Sequence, residues 1–130
     1  MVDANKGPHS EMQITFDFEK ALNNTGGDRS LMELLGRILI EDVPILANEL
    51  QSASQLRDSA HAKHFVHSLR GLCATFSAEP AVGMAMDIET EISGGCDIQK
   101  LTSKIESLLA CLDATVMEME KSLSGSKIKP

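Results

Sequence analysis

The chain has 130 residues, 42% of them apolar, which suits one domain with a single core. It contains no Trp or Tyr and only four Phe, so the core must be mainly aliphatic, and this favours packed helices over sheets. The net charge of −7 at pH 7 argues against nucleic acid or a membrane surface as partners of this domain.

The sequence also predicts where the protein is located. No apolar run approaches the length of a membrane span, and the N-terminal residues MVDANKGPHSEM lack the apolar core of a signal peptide. The three cysteines are odd in number, and no two of them have CxxC spacing. We therefore expect a cytoplasmic protein with reduced thiols.

Turn and capping signals divide residues 13–123 into five helical stretches, between segments predicted to be flexible at 1–12 and 124–130. A short helix is predicted over residues 15–24, and Asp28 is predicted to cap a second one. The apolar row of the second helix is predicted to contain Leu31, Leu34, Leu35, Ile38, Ile45, Leu46 and Leu50. Pro44 should kink or break this helix, because it cannot donate a hydrogen bond to the carbonyl of Ile40.

Three further helices are predicted, capped by Asp58, beginning near Pro80 and capped by Asp97. On the third helix the predicted core residues are Phe65, Leu69, Leu72 and Phe76. The most regular row, on the fifth helix, includes Ile98, Leu101, Ile105, Leu108, Leu112 and Met119. Further core residues are expected at Met84, Met86 and Met117. The pattern predicts an all-α antiparallel four-helix bundle, with the short N-terminal helix packed on one end.

The outer face of the third helix has an unusual composition. On a helical wheel, the residues close to His67 include Lys63, His64, Arg70, Gly71 and Ala74. A solvated face would be rich in Glu, Lys and Gln, whereas this face combines imidazole and cationic groups with small side chains. Glycine costs about 1 kcal/mol relative to alanine inside a helix, and close approach of another surface is the usual reason for it.

The same segment carries no acidic residue. Residues 59–78 contain none of the 19 Asp and Glu, although an even spread over the chain would place about three there. A basic face on an acidic protein predicts a docking site for a negatively charged partner. A neutral imidazole can attack phosphorus, Lys63 and Arg70 can pair with phosphoryl oxygens, and Gly71 and Ala74 would leave room for the donor.

The histidines also allow other interpretations. A histidine on a bundle helix is usually just solvated, and we interpret His9 and His61 in this way. His64 and His67, at i and i+3, could hold one metal ion, but the chain has no Glu-x-x-His motif and no further Cys–His pair, so no metal site is predicted. Neither a Gly-x-Ser-x-Gly motif nor a Walker A or other Gly-rich phosphate loop is present to indicate an enzyme.

The segment HSLRG at 67–71 resembles the H-x-L-K-G signature of histidine-containing phosphotransfer (HPt) domains. The resemblance covers roughly residues 14–120. FVHSLRGLCATFSA is similar to the phosphohistidine helix of the family, and MAMDIETEISGG to its fourth helix with a late acidic residue, here Glu89. It implies a four-helix bundle with one exposed histidine that is phosphorylated on a ring nitrogen.

For this chain, the resemblance implies that His67 is the phosphoacceptor, that Arg70 replaces the usual lysine, and that Gly71 gives clearance. Lys63, His64 and Ala74 are expected to assist phosphate stabilisation or docking. The implied partners are response-regulator receiver domains, a hybrid sensor histidine kinase, or both. The receiver would supply Mg²⁺, so this domain would need no cofactor of its own. The domain is expected to be a monomeric phosphotransfer carrier and not an enzyme.

Two positions depart from the family pattern. Arg70 keeps the charge of lysine but changes its shape, and Ser77 stands where the family commonly has glycine before the next helix. The residues themselves leave one alternative function open: a non-phosphorylated helical bundle that binds a protein partner through the same basic face.

Overall fold

The computed structural model describes the backbone of residues 16–128 and the side chains of residues 16–124. The segment predicted to be flexible at 1–12 lies outside these residues, as does the predicted helix start at residue 15. The helices are α1 (Phe18–Asn24), α2 (Arg29–Gln55), α3 (Ser59–Thr75), α4 (Glu79–Ser93) and α5 (Thr102–Ile128), with a 3₁₀ turn at Ile98–Leu101 before α5. The described residues contain no strand.

The four longer helices form a closed bundle. Helix α2 packs on α3 and α5, and α4 packs on the same two helices from the opposite corner. The short connections between α2, α3 and α4 make these neighbours antiparallel. The predicted four-helix bundle is therefore confirmed. Helix α5 continues to Ile128, beyond residue 123 where the sequence placed the end of the domain.

Aspartate side chains begin the helices at the predicted positions. Asp28 accepts a hydrogen bond from the Leu31 amide at 3.0 Å, and Asp58 accepts one from the His61 amide at 3.1 Å. Asp97 caps the 3₁₀ turn and not the α-helix that follows it. Each such cap typically stabilises a helix by about 1 kcal/mol, because it satisfies an amide that has no partner within the helix.

The core of α2 differs from the prediction. The buried residues of this helix are Met32, Gly36, Leu39, Val43, Leu50 and Ala53. Leu31, Leu34 and Ile45, which were predicted to be in the core, are exposed, and the prediction was wrong for them. Leu50 is buried as predicted, and Leu35 and Leu46 are partly buried against the core. The helix carries two apolar rows, and the predicted row mixes residues of both. Pro44 does not break α2, which is continuous across it.

Smaller corrections concern α3 and the methionines. Leu69 and Phe76 are buried as predicted, but Phe65 and Leu72 are only half-buried. The other buried residues of α3 are Ala62, Val66 and Cys73. Burial raises the pKa of the Cys73 thiol to about 12. Met119 is buried, whereas Met84, Met86 and Met117 are exposed and do not fill the core.

Ser77, in the turn between α3 and α4, has a left-handed backbone with φ of +52°. This conformation costs a residue with a Cβ about 1–2 kcal/mol. Glycine avoids that cost, but part of the gain is offset because glycine gives the unfolded chain more conformational freedom. We expect Ser77→Gly to raise the free energy of unfolding by about 0.5–1 kcal/mol, measured by urea denaturation. Ser68→Gly, inside α3, should instead lower it by about 0.5 kcal/mol. Equal destabilisation by both changes would contradict the left-handed turn.

Candidate functional site

Helix α3 turns His67 away from the core. Val66 and Leu69, its near neighbours in the chain, are fully buried, while the His67 side chain is 61% exposed. The C-terminal end of α3 is tied to α1, because the Asp17 amide donates to the Phe76 carbonyl at 3.3 Å and the Asn24 side chain donates to the Thr75 carbonyl at 3.4 Å. The imidazole therefore lies on a helix whose inner face packs in the core and whose C-terminal end is hydrogen-bonded to α1.

The carboxylate of Glu89, on α4, connects His67 and Arg70. Its Oε2 lies 2.9 Å from Nδ1 of His67, and its Oε1 accepts a hydrogen bond from Nε of Arg70 at 3.0 Å. The Glu89 side chain is only 19% exposed, and that of Arg70 is 33% exposed. The three side chains form one network across the α3–α4 groove, and we call it the His67–Glu89–Arg70 network.

The ionisation of Glu89 decides the tautomer of the ring. Burial raises the pKa of this carboxyl group, but the hydrogen bond from His67 and the charge of Arg70 outweigh burial, so that its pKa lies below the usual value. An ionised carboxylate only accepts hydrogen bonds, so the proton of the contact must be on Nδ1. In that tautomer Nε2 carries the lone pair, and the exposed ring presents it to solvent.

Arg70, predicted to pair with phosphoryl oxygens, contacts both Glu89 and His67 in the structure. Its Nη2 lies 3.1 Å from Nδ1 of His67, and its Nε is bound to Glu89. A guanidinium group only donates, so the Nδ1–H tautomer makes the Nη2 contact a close approach and not a hydrogen bond. The guanidinium is thus placed beside Nδ1 of the ring.

The remaining predicted site residues lie around His67 on α3. Lys63 and His64 line an open hollow of about 300 Å³ together with Ala60, His67 and Glu89. The His64 ring packs edge-on against Phe65, with ring centroids 5.6 Å apart. Gly71 and Ala74 are exposed on the following turns. A Cβ added at Gly71 would meet no heavy atom within 4 Å, so packing within the described part of the chain does not require glycine there.

The part of the chain that contains the His67–Glu89–Arg70 network matches a known protein family. The family model described as Hpt domain matches residues 35–120, which is more than half of the chain and includes the His67–Glu89–Arg70 network. The chain belongs to the Hpt domain family. The family consists of phosphotransfer carriers that act in phosphorelays together with receiver domains and histidine kinases.

A solved structure has the same fold as this Hpt domain. It is the HPT domain of a sensor hybrid histidine kinase from Shewanella, with a TM-score of 0.78 and 20% sequence identity. The alignment covers 85% of this chain and 95% of the Shewanella domain. At that identity the likeness establishes the bundle fold alone. None of the curated proteins matches this chain.

Two further findings describe the surroundings of the site in this Hpt domain. Among residues 16–124, no three His, Cys, Asp or Glu side chains are grouped as ligands for a metal ion. No helix in the described part of the chain combines the length and apolarity needed to cross a membrane.

His61 lies on a different side of α3 from His67. It pairs with the residue that caps its own helix, because its Nδ1 lies 2.6 Å from Oδ2 of Asp58.

Glu89 is a candidate site residue whose contacts the sequence does not reveal. By resemblance it is only a late acidic residue of the fourth helix. Three acidic residues of α4 could pair with the basic face of α3: Asp87, Glu89 and Glu91. The sequence does not distinguish between them, because it does not give the register of α4 against α3. In the structure Asp87 and Glu91 both bind Lys104 of α5 at 2.8 Å, and Glu89 alone of the three reaches His67.

Proposed function

We propose that this Hpt domain is a phosphocarrier whose His67 accepts a phosphoryl group from the aspartyl phosphate of a receiver domain and passes it to another receiver aspartate. The observation that carries the proposal is the exposed imidazole whose Nδ1 is bound to the half-buried carboxylate of Glu89. This arrangement leaves Nε2 as the only ring nitrogen that can act as a nucleophile.

In the transfer step, the Nε2 lone pair attacks phosphorus while the bond from phosphorus to the aspartyl oxygen breaks. The receiver carboxylate leaves with the electron pair, and the new N–P bond forms. With its proton retained on Nδ1, the phosphorylated ring carries a positive charge. Glu89 stabilises that charge through the Nδ1–H hydrogen bond, in the way that a buried aspartate stabilises the imidazolium of a serine protease.

The cations of α3 serve the incoming phosphoryl group. Lys63 lines the hollow beside His67 and can pair with phosphoryl oxygens on Nε2. Arg70 anchors Glu89 and can release Nη2 toward the phosphoryl group by a change of rotamer. The hollow offers ammonium and imidazole groups with one carboxylate, a poor ligand set for a hard cation, so we assign the Mg²⁺ of the reaction to the receiver.

The experiment that tests the proposal is transfer from a panel of purified receiver domains that carry radiolabelled aspartyl phosphate, with Mg²⁺ present. We expect at least one receiver to transfer label to this domain, with the label lost in acid and retained in alkali. The proposal would be contradicted if a receiver forms a complex with this domain but no receiver in the panel transfers label to it. That result would support the alternative of a non-phosphorylated bundle that binds a protein partner.

Gly71→Ala separates helix stability from partner access. Alanine should raise the free energy of unfolding by about 0.5–1 kcal/mol, because the position is helical and open. The rate of transfer from a receiver should nevertheless fall, and Gly71→Gln should lower it further as the side chain grows. Denaturation and single-turnover transfer measure the two effects. An unchanged transfer rate for Gly71→Gln would show that no surface approaches Gly71 closely.

A further inference from the structure

His64 is an exposed histidine of α3 that lies three residues before His67. Within residues 16–124 its ring nitrogens make no hydrogen bond or ion pair, and its ring contact is with Phe65. His61, one turn earlier, differs because its Nδ1 is bound to Asp58. An imidazole carries one N–H group when neutral and two when protonated, so His64 can donate to a group that arrives from outside the domain.

Helix geometry directs the His67 side chain toward the turn that carries Lys63 and His64. Side chains of an α-helix tilt toward its N-terminus, and residues three or four positions apart have Cβ atoms about 5–6 Å from each other. In the structure these three side chains line one open hollow of about 300 Å³, together with Ala60, whose side chain is a single methyl group. A phosphoryl group on the exposed ring of His67 would therefore be within reach of both Lys63 and His64.

A phosphoryl group in this hollow needs several hydrogen-bond donors. Its three oxygens are strong acceptors, and on a phosphorylated side chain they carry a charge of about −1.5 to −2 near pH 7. Lys63, which has no ion pair among the described residues, can pair with part of this group. Arg70 is held by Glu89 through Nε. Besides Lys63 and the phosphorylated residue itself, His64 is the remaining donor that lines the hollow.

No carboxylate in the described part of the chain is paired with His64. Glu89 of α4 lines the same hollow but is already bound to two other side chains. On α2 the acidic residue nearest in height is Glu49, six residues before the end of that helix, and it forms no ion pair with His64. Lys63 is a like charge on the same helix. The phosphoryl group would therefore be the anion that pairs with a protonated His64.

We propose that His64, as an imidazolium, donates a hydrogen bond to the phosphoryl group on His67 and thereby retains that group on this domain under acidic conditions. The inference rests on the proposed function and adds a control by pH to it. Histidine is the side chain that ordinarily changes its charge between pH 5 and 8. Because opposite charges favour each other, phosphorylation of His67 draws a proton from solvent onto His64, and that proton favours phosphorylation by the same factor. The contribution of His64 therefore shifts the phosphoryl group from the receiver to this domain as the pH falls.

The test compares variants at each pH, because His67 and the phosphoryl groups also titrate but are the same in every variant. His64→Gln removes the charge and keeps an N–H donor, whereas His64→Lys has a charge that does not change between pH 6 and pH 8. His61→Gln is the matched control. Label from a receiver that exchanges with the wild type is equilibrated with each protein in the presence of Mg²⁺. The measured quantity is the ratio of labelled domain to labelled receiver at pH 6 and at pH 8.

We expect His64→Gln to lower this ratio about fourfold relative to the wild type at pH 6, with almost no change at pH 8. The difference arises because the His64 ring is charged only under the acidic condition. His64→Lys should match the wild type at pH 6 and exceed it at pH 8, where only the lysine is charged. His61→Gln should match the wild type at both, because His61 pairs with Asp58 and does not line the hollow.

The inference would be overturned if His64→Gln gave the wild-type ratio at pH 6. An equal fall at both pH values would also overturn it, since a structural or docking role does not depend on the charge of the ring. The same holds for a fall of equal size in His61→Gln, or for a His64→Lys ratio at pH 8 that is no higher than that of the wild type. Failure of the proposed function looks different, since the wild type itself would then take no label from any receiver.

Discussion

Replacement of His67 by glutamine is expected to abolish phosphoryl transfer to this domain. Glutamine keeps a polar side chain that can contact Glu89, but it has no ring nitrogen with a lone pair to attack phosphorus. The exposed position of His67 means that the bundle should tolerate the change, with an effect on the free energy of unfolding of about 0.5 kcal/mol or less. The measurement is label incorporation from a phosphorylated receiver, with a thermal melt to verify folding.

His64→Gln and His61→Gln are the matched controls for this variant. Both histidines are exposed residues of α3, but His64 contacts Phe65 and His61 pairs with Asp58, so neither is bound to Glu89. They should keep an acid-labile label. Label that persists in His67→Gln, or that disappears in His61→Gln, would place the phosphoacceptor elsewhere.

Glu89→Ala should lower the transfer rate by about 10–100-fold, by analogy with the loss of the hydrogen-bond partner of a metal-binding histidine. Without the carboxylate, the ring can adopt either tautomer, the positive charge of the phosphorylated ring loses its counter-charge, and Arg70 loses its anchor. Glu89→Gln should have a smaller effect, because the amide oxygen can still accept the hydrogen bond from Nδ1–H. Single-turnover rates at saturating receiver measure the loss.

Asp87→Ala is the control for Glu89→Ala. Asp87 lies two residues earlier on α4 and binds Lys104 of α5, so its loss changes the charge of the helix without touching His67. Its transfer rate should remain near that of the wild type. A Glu89→Ala variant as fast as Asp87→Ala would mean that the Nδ1 contact does not assist the reaction.

The pH dependence of the network follows from the lowered pKa of Glu89. A carboxyl group whose pKa is lower in the folded state stabilises that state at every pH above its unfolded pKa. The contribution is lost as the pH falls through the folded pKa, which lies below the usual range of glutamate. The Nδ1–H hydrogen bond to an ionised Glu89 should therefore persist throughout mildly acidic conditions.

The sequence was most informative where a local signal determines the structure. Asp28 and Asp58 begin their helices as predicted, since a cap depends only on the residues that follow it. The apolar row of α5 from Ile105 to Met119 is buried as predicted, because this helix has only one such row. The unusual composition around His67 identified the exposed face of α3 before any contact was known.

Features that depend on the register between helices could not be predicted. Helix α2 has two apolar rows, and only packing against α3 and α5 determines that Leu39 is buried while Leu34 is exposed. The contact of Glu89 with His67 joins residues 22 positions apart, and nothing local distinguishes Glu89 from Asp87. Likewise, the left-handed turn at Ser77 carries a residue type that gives no signal for that conformation.

The most direct test of the account is to determine which ring nitrogen of His67 carries the phosphoryl group. Phosphorylated protein with ¹⁵N-labelled histidine gives the answer from the long-range ¹H–¹⁵N couplings of the ring and the ³¹P resonance. Because Glu89 holds the proton on Nδ1, we predict phosphorylation at Nε2, with Nδ1 still protonated. A phosphoryl group on Nδ1 would require the contact with Glu89 to be broken and would contradict the account.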